Sequence, residues 1–193
     1  MRIFEAKARA DRIAAYQFRY RIYVEDEGRV QHYADHQRRL VEEPLDRCGR
    51  VLVAVDRGRV VGTLRTNHLA EGPLGYYESL YGIDRLSKRD RRQVAITTKL
   101  MVDPGYRGGT CALRLSKLSY RMALESGMRW GYVDSRDHTL GYFEKLGYRV
   151  LRKDLVHPEF GLATLMRLTV DDESHLQQVG SPFLSTLLSR VAA

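Results

Sequence analysis

The stretch KLMVDPGYRGGTCALRLSKL, residues 99–118, decides the fold class of this chain. The β-branched run QVAITTKLMV (93–102) leads straight into DPGYRGGT, and Cys111, Leu115, Leu118 and Met122 then recur at helical spacing. This predicts a strand, a glycine-rich turn and a helix that stops near Gly127. Glycine lets the backbone enter left-handed conformations and come close to a ligand. A helix N-terminus offers unpaired N–H groups and the positive end of a dipole. With Arg107 as a fixed cation, the segment reads as a phosphate cradle, against the plain alternative of an ordinary strand-to-helix turn.

Working outward, Ile13, Tyr16, Tyr20 and Tyr23 predict an amphipathic helix over about residues 10–25. The polar stretch from Glu25 to about Leu45 is expected to hold at most a second, weaker helix. VLVAV (51–55) and VVGTL (60–64), separated by DRGR, predict a hairpin of buried strands. Residues 67–90, with Gly72, Pro73, Gly75 and Gly82, predict an irregular connection around one helix. WGYVD (130–134) predicts a strand, 138–145 a short helix ending at Gly147, and YRVLRKDL and ATLMRLTV two last strands. Asp171 and Asp172 are candidate caps for a terminal helix. Its apolar face is Phe183, Leu184, Leu187, Leu188 and Val191, readable as domain packing, a cover for an acyl pocket or a homodimer contact.

With 193 residues the chain has room for one domain and a sizeable core. No apolar run has the roughly 20 residues that cross a bilayer. The start, MRIFEAKARADR, carries charges where a secretory signal needs an apolar stretch, so a cytoplasmic location is the expectation. Lys and Arg number 32 against 24 Asp and Glu, a net charge of +8. That surplus suits an acidic partner: nucleic acid, anionic lipid, a phosphorylated cofactor or an acidic protein. The basic residues are dispersed, with no helix-turn-helix or base-stacking signature, so a nucleic-acid-binding module is the weaker alternative. Cys48 and Cys111 form neither a metal-type pair nor a disulfide framework, and no metal is expected.

The segment 107–112 resembles the acyl-donor loop of the GNAT superfamily of N-acyltransferases, R/Q-x-x-G-x-G/A. Arg107 stands at its first position, Ala112 at its last, and Thr110 where glycine is usual. Downstream, YFEKLGY (142–148) resembles the superfamily's Y-x-K-x-G-F signature, with Lys145 and Gly147 in place. The element order also matches over about residues 10–170. The resemblance implies an α/β (α+β) fold: a mixed, mostly antiparallel twisted sheet flanked by helices, with a splayed central strand pair. It implies a single acyltransferase domain over residues 1–170 and a C-terminal amphipathic helical extension over 171–193, packed on it or on a partner. In many such enzymes the signature tyrosine protonates the leaving thiolate; here that position is Phe143. Tyr142 is adjacent, but one step along a helix turns a side chain by about 100°.

The N-terminal third narrows the branch. FRYRIYVEDEGR, the acidic stretch ending in PLD, and LVAVDRGRVVGTLR resemble the autoinducer synthases and the long-chain N-acyl amino acid synthases. Arg19, Tyr23, Asp46, Gly62 and Arg65 carry that match. Autoinducer synthases often write the next strand E-x-S-R-x-x-V; here it is Ile96-Thr97-Thr98-Lys99-Leu100-Met101-Val102, which favours the amino acid synthase branch. The resemblance implies transfer of an acyl group, fatty in the first reading, from acyl carrier protein or acyl-CoA to the amine of an amino acid or other small acceptor. No tightly bound cofactor is implied, and the alternative is a short-chain acetyltransferase using acetyl-CoA.

Aminolysis of a thioester needs a neutral amine, an acceptor for its proton, and donors for the oxyanion. The resemblance places the oxyanion donors on residues 99–102 and the donor-binding set on Leu100, Met101, Val102, Arg107, Gly108, Gly109, Thr110, Cys111, Ala112 and Phe143. Lys99 is expected to face the donor. Candidate bases are Glu25, Glu27, Asp46 and Asp134, with His138 more plainly a helix-start residue. Arg19 and Arg65, with Tyr23 and Asp46, form the candidate acceptor-binding set, because guanidinium forks match carboxylates; buried pairing of both arginines with Asp46 is the alternative.

Overall fold

A computed structural model describes residues 1–191 and the side chains of 1–190; the side chain of Val191, and Ala192 and Ala193, lie outside the described residues. In chain order the strands are β1 (Arg2–Glu5), β2 (Ala34–Asp35), β3 (Leu40–Val41), β4 (Arg50–Asp56), β5 (Arg59–His68), β6 (Val94–Val102), β7 (Trp130–Ser135), β8 (Arg149–His157) and β9 (Gly161–Thr169). The helices are α1 (Arg9–Tyr20), α2 (Tyr77–Leu80), α3 (Lys88–Arg91), α4 (Cys111–Glu125), α5 (Asp137–Leu146), α6 (Glu173–Gln178) and α7 (Leu184–Val191). Short 3-10 turns occupy Pro44–Asp46, Ile83–Arg85 and Pro104–Tyr106.

The chain divides into two compact units, Met1–Thr66 with Thr98–Ser119, and Asn67–Thr97 with Tyr120–Ala193. Strands β5 and β6 run through both. The first unit carries the order β1-β4-β5-β6 and the second continues β6-β7-β9-β8, giving seven strands of one mostly antiparallel sheet, flanked by helices. The expected mixed α/β class holds.

In the first unit α1 buries Ala15, Tyr16 and Phe18. Ala15 and Tyr16 join Val51 and Val53 of β4, while Phe18 joins Ile22 and Met101. The helix predicted to about residue 25 is continuous, but its last turn, Arg21–Asp26, is π-helical. Glu27 N–H bonds to Ile22 O at 3.0 Å, five residues back. The stretch after it forms no second α-helix: the paired β2 and β3 and the Pro44–Asp46 turn take its place. Here polar composition hid a structure whose register is set by distant partners. β1 escapes a sequence reading because its four residues are charged at both ends; it pairs antiparallel with Leu52–Val55.

In the second unit, the parallel pairing of β6 with β7 spans Val94–Ile96 against Trp130–Tyr132, while β7 stays paired with β9 through Ser135. The connection at 67–90 is more regular than expected: β5 extends to His68, and three short helical turns follow. Gly147 closes α5 with φ 105°, which a Cβ would strain. At the tail, Asp172 accepts the N–H of His175 at 3.1 Å and starts α6, so the single expected helix is two. Phe183 stacks on Tyr120 with centroids 4.2 Å apart, and Leu187 is buried while Leu188 is exposed. Among the described residues no helix is long and apolar enough to cross a membrane.

Gly62 sets how closely the first unit's strands and α4 approach. A Cβ there would lie 2.8 Å from Cys111 Sγ, 3.1 Å from Met101 O and 3.2 Å from Leu115 Cδ1. Gly62→Ala is expected to destabilise the fold by about 1–3 kcal/mol through overpacking, read as a lower urea midpoint. An unchanged midpoint would show that this contact can relax.

Candidate functional site

The first unit brings most of the sequence-derived candidates together around the C-terminal half of β6. Lys99 lies in mid-strand yet has a left-handed backbone, φ 54°. A non-glycine residue in that region is strained by roughly 1–2 kcal/mol, so surrounding contacts must hold it. Two do so visibly. Thr63 Oγ1 on β5 donates to Lys99 O at 3.2 Å, and Lys99 Nζ lies 2.5 Å from Glu43 Oε1. The Tyr23 ring faces the same ammonium at 5.2 Å.

Glu43 opens a buried ionic network. Its Oε2 accepts Arg65 Nη1 at 2.7 Å, and Arg65 Nη1 is also 3.4 Å from Asp46 Oδ1. Arg65 Nε donates to Thr98 Oγ1 at 3.0 Å. Asp46 accepts Arg19 Nη1 through both oxygens, at 2.9 and 2.8 Å. The Glu43 N–H donates to Asp46 Oδ2 at 2.8 Å, so the Pro44–Asp46 turn locks the two acids at fixed separation. Arg19, Arg65 and Asp46 are each 0% exposed. In these contacts Lys99, Arg65 and Arg19 meet the carboxylates of Glu43 and Asp46. Burial alone would push both acids up. The charges of Lys99 and Arg65 on Glu43, and of Arg19 and Arg65 on Asp46, outweigh it and hold both carboxyls below their ordinary values.

Sequence reasoning named Arg19, Tyr23, Asp46, Arg65 and Lys99, and the structure brings these five into contact around Glu43. It missed Glu43 itself. The available signal was the spacing E-P-L-D, an acid three residues before another across a proline at the first helical position, which is a capping pattern.

The donor turn follows β6. Leu100 and Val102 are half-buried and Met101 is buried. Asp103 caps the turn by accepting Gly105 N–H at 3.0 Å and is held by Arg21 Nη2 at 2.6 Å. Desolvation opposes ionisation of Asp103, but the Arg21 bond and the Gly105 N–H lower its pKa overall. Arg107 is exposed, with Nε bonded to Val102 O at 3.2 Å. Gly108 has φ 77°, and Gly109 and Thr110 are exposed ahead of Cys111, the first residue of α4. Cys111 is buried and its thiol is pushed up by desolvation, so it is a packing residue rather than a nucleophile. Ala112 is half-buried on the same first turn. Glu25 is exposed and ion-paired with Arg39. Glu27 pairs with Arg29 at 2.5 Å and lies 3.9 Å from Arg107.

The second unit holds the other candidates. Phe143 on α5 is buried edge-on to Tyr142 and Tyr148, centroids 5.2 and 5.6 Å away. His138 is exposed. Asp134, near the end of β7, has a side chain 8% exposed, and its Oδ2 is 3.4 Å from Nε2 of His157 on β8. The hydroxyls of Tyr76 and Tyr77 lie 3.3 and 3.4 Å from the same nitrogen. Sequence reasoning did not single out His157; VHPEF carries no spacing that points to Asp134. Among the described residues no group of three His, Cys, Asp or Glu could hold a metal ion.

A family model described as N-acyl amino acid synthase FeeM matches residues 14–169. Solved structures share the fold. The structure of FeeM, an N-acyl amino acid synthase from uncultured soil microbes, aligns with TM-score 0.70 at 16% identity, over 96% of this chain and 97% of that one. BjaI, a CoA-dependent acyl-homoserine lactone synthase solved with SAM and isopentyl-CoA, aligns with TM-score 0.68 at 16% identity, over 93% and 89%. A putative N-acetyltransferase from Lactobacillus plantarum aligns with TM-score 0.62 at 18% identity, over 88% and 97%. No curated protein matches.

The depressed pKa values fix a pH signature. A carboxyl with a folded pKa below its unfolded one stabilises the fold above the unfolded value and loses that contribution as pH falls through the folded one. Stability is therefore expected to fall on acidification below about pH 4, the ordinary carboxylate range. Asp46→Asn, which leaves Arg19 without its carboxylate, should cost roughly 3–5 kcal/mol at pH 7 and flatten that acid dependence in urea titrations. A variant as stable as the parent at pH 7 would contradict the network's role.

Proposed function

The chain belongs to the N-acyl amino acid synthase FeeM family, and we propose that it moves a fatty acyl group from a phosphopantetheine thioester to the primary amine of an amino acid or similar small acceptor. It is an acyltransferase by that membership. The donor is acyl-CoA or acyl carrier protein, consumed as a cosubstrate, and the compartment is the cytoplasm. Residues 1–170 form the acyltransferase body and 171–193 its extension.

The observation that carries this reading is the left-handed backbone at Lys99, held in mid-strand by Glu43 and Thr63. This strained backbone supports residues 99–102 as the N–H donors to the thioester oxygen as it becomes negative. The Arg107–Ala112 turn supplies a cation and the helix N–H groups of α4 for donor phosphate. Tyr23 faces the Lys99 ammonium, while Arg65, Asp46 and Arg19 back Glu43 as a rigid frame for the acceptor end. The Phe143 side chain has no proton to give a leaving thiolate. No covalent enzyme intermediate is required, since holding amine and thioester together supplies much of the rate.

The test is mass spectrometry of purified protein with a mixed amino acid pool and competing acetyl-CoA, long-chain acyl-CoA and long-chain acyl carrier protein. An N-acyl amino acid carrying the long chain is expected; acetylated product alone would favour the short-chain reading. Arg107→Glu is expected to raise KM for the donor about tenfold, equivalent to ~1.4 kcal/mol, and leave the acceptor KM nearly unchanged. Equal effects on both substrates would contradict the assignment of the turn to the donor.

A further inference from the structure

We infer that Glu27 is a specificity-determining residue for the acyl donor: its carboxylate is a resident anion beside Arg107 that disfavours donor phosphate, the more so the more phosphate charge the donor brings. This rests on the N-acyltransferase reading above, in which the Arg107–Ala112 turn takes the donor's phosphate. All the residues it uses lie in the first unit.

The backbone places Glu27. Its N–H donates to Ile22 O at 3.0 Å and closes the π-helical turn. Gly28 follows with φ 61°, a left-handed step that glycine takes without strain. The Arg29 N–H then donates to Tyr23 O at 2.8 Å. Glu27 is thus fixed from both sides by bonds that return to the helix.

The side chain is held as well. Arg29 Nη2 lies 2.5 Å from Glu27 Oε2, and the Arg29 guanidinium covers the Tyr23 ring at 5.1 Å. The other oxygen, Oε1, lies 3.9 Å from Arg107 Nη2. Arg107 is anchored in turn through Nε on Val102 O at 3.2 Å. Arg29 and Arg107 therefore meet this carboxylate on opposite oxygens.

The Arg107 contact is too long for a hydrogen bond. Both side chains are partly open to water, and an exposed pair of this kind contributes little stability. Its consequence falls on whatever else Arg107 binds. A donor phosphate must take a guanidinium that Glu27 already partly neutralises. It also arrives within the short range over which two anions repel through water and salt. The Arg29 charge offsets part of this, so the effect is moderate rather than prohibitive.

The penalty scales with phosphate charge. A phosphopantetheine arm on a carrier protein has a single phosphodiester, whereas coenzyme A has a diphosphate and a further phosphate on its ribose. Glu27 thus weighs against coenzyme A thioesters more than against carrier-borne ones. A repulsive element of this kind sets specificity between ligands that are otherwise alike. A residue that only braced the fold would treat the two donors equally.

The experiment measures binding of coenzyme A, phosphopantetheine and pantetheine by calorimetry to wild type, Glu27→Gln and Glu27→Ala. Removing the charge should tighten coenzyme A about threefold and phosphopantetheine less, and leave pantetheine, which has no phosphate, unchanged. The gain should vanish at about 1 M salt, where screening acts within roughly 3 Å. Equal effects on the three probes, or no tightening of coenzyme A in either variant, would overturn the inference. So would a gain in the Ala variant alone, which would trace to lost packing rather than lost charge. Arg107→Glu separates this role from the reading beneath it. If that change weakens coenzyme A while Glu27→Gln leaves it as in wild type, only the role of Glu27 falls. If Arg107→Glu has no effect on coenzyme A, or no phosphorylated probe binds, the assignment of the turn to the donor falls and this role with it.

Discussion

The contact between the Lys99 ammonium and the Glu43 carboxylate is the constraint on which the geometry of the first unit's network depends. Lys99 sits in a backbone region that an L-residue leaves unless something holds it. Glu43 can hold it only because Arg65 fixes the other carboxylate oxygen, and Arg65 is set by Thr98 and Asp46, which Arg19 secures. Burying five charges gains little stability over well-packed apolar side chains of similar volume. What an apolar cluster could not supply is direction: each contact here has a fixed donor and acceptor, so the kink at residue 99 has one geometry.

Arg19, Arg65 and Lys99 meet Glu43 and Asp46 in a region shielded from water. The overall +8 balance is therefore partly internal. Arg19, Arg65 and Lys99 belong to the buried frame and Arg21 to the cap of the donor turn, so these four are not available to a generic basic surface.

What the sequence made legible follows from where each signal lives. The turn at 103–110 and helix α4 were readable because their instructions are local: β-branched residues before, glycines within, a helical stripe after. Arg19, Tyr23, Asp46 and Arg65 were reachable only through resemblance, since nothing in their spacing says they converge. Glu43 and His157 were not reached. Each meets a partner far along the chain, Glu43 at Lys99 56 residues away and His157 at Asp134 23 residues away. The stretch after α1 misled for the same reason, because its polar residues are consumed by pairings such as Glu25 with Arg39 rather than by a helix.

Helix α1 shows how one element serves two ends of the same site. Arg19 and Tyr23 are four residues apart and share a face, and both meet the network, Arg19 through Asp46 and Tyr23 through the Lys99 ammonium. Arg21 lies between them, about 200° round an ideal helix, and reaches the opposite way to Asp103 at the start of the donor turn. The π-helical turn at Arg21–Asp26 widens the backbone where these two directions part. Such turns are rare and cluster at functional sites, because the extra residue re-aims side chains without breaking the helix. A displacement of this helical segment would thus be felt together at the strained strand and at the turn that Asp103 starts. The helix ties the strained strand and the glycine-rich turn into a single mechanical piece.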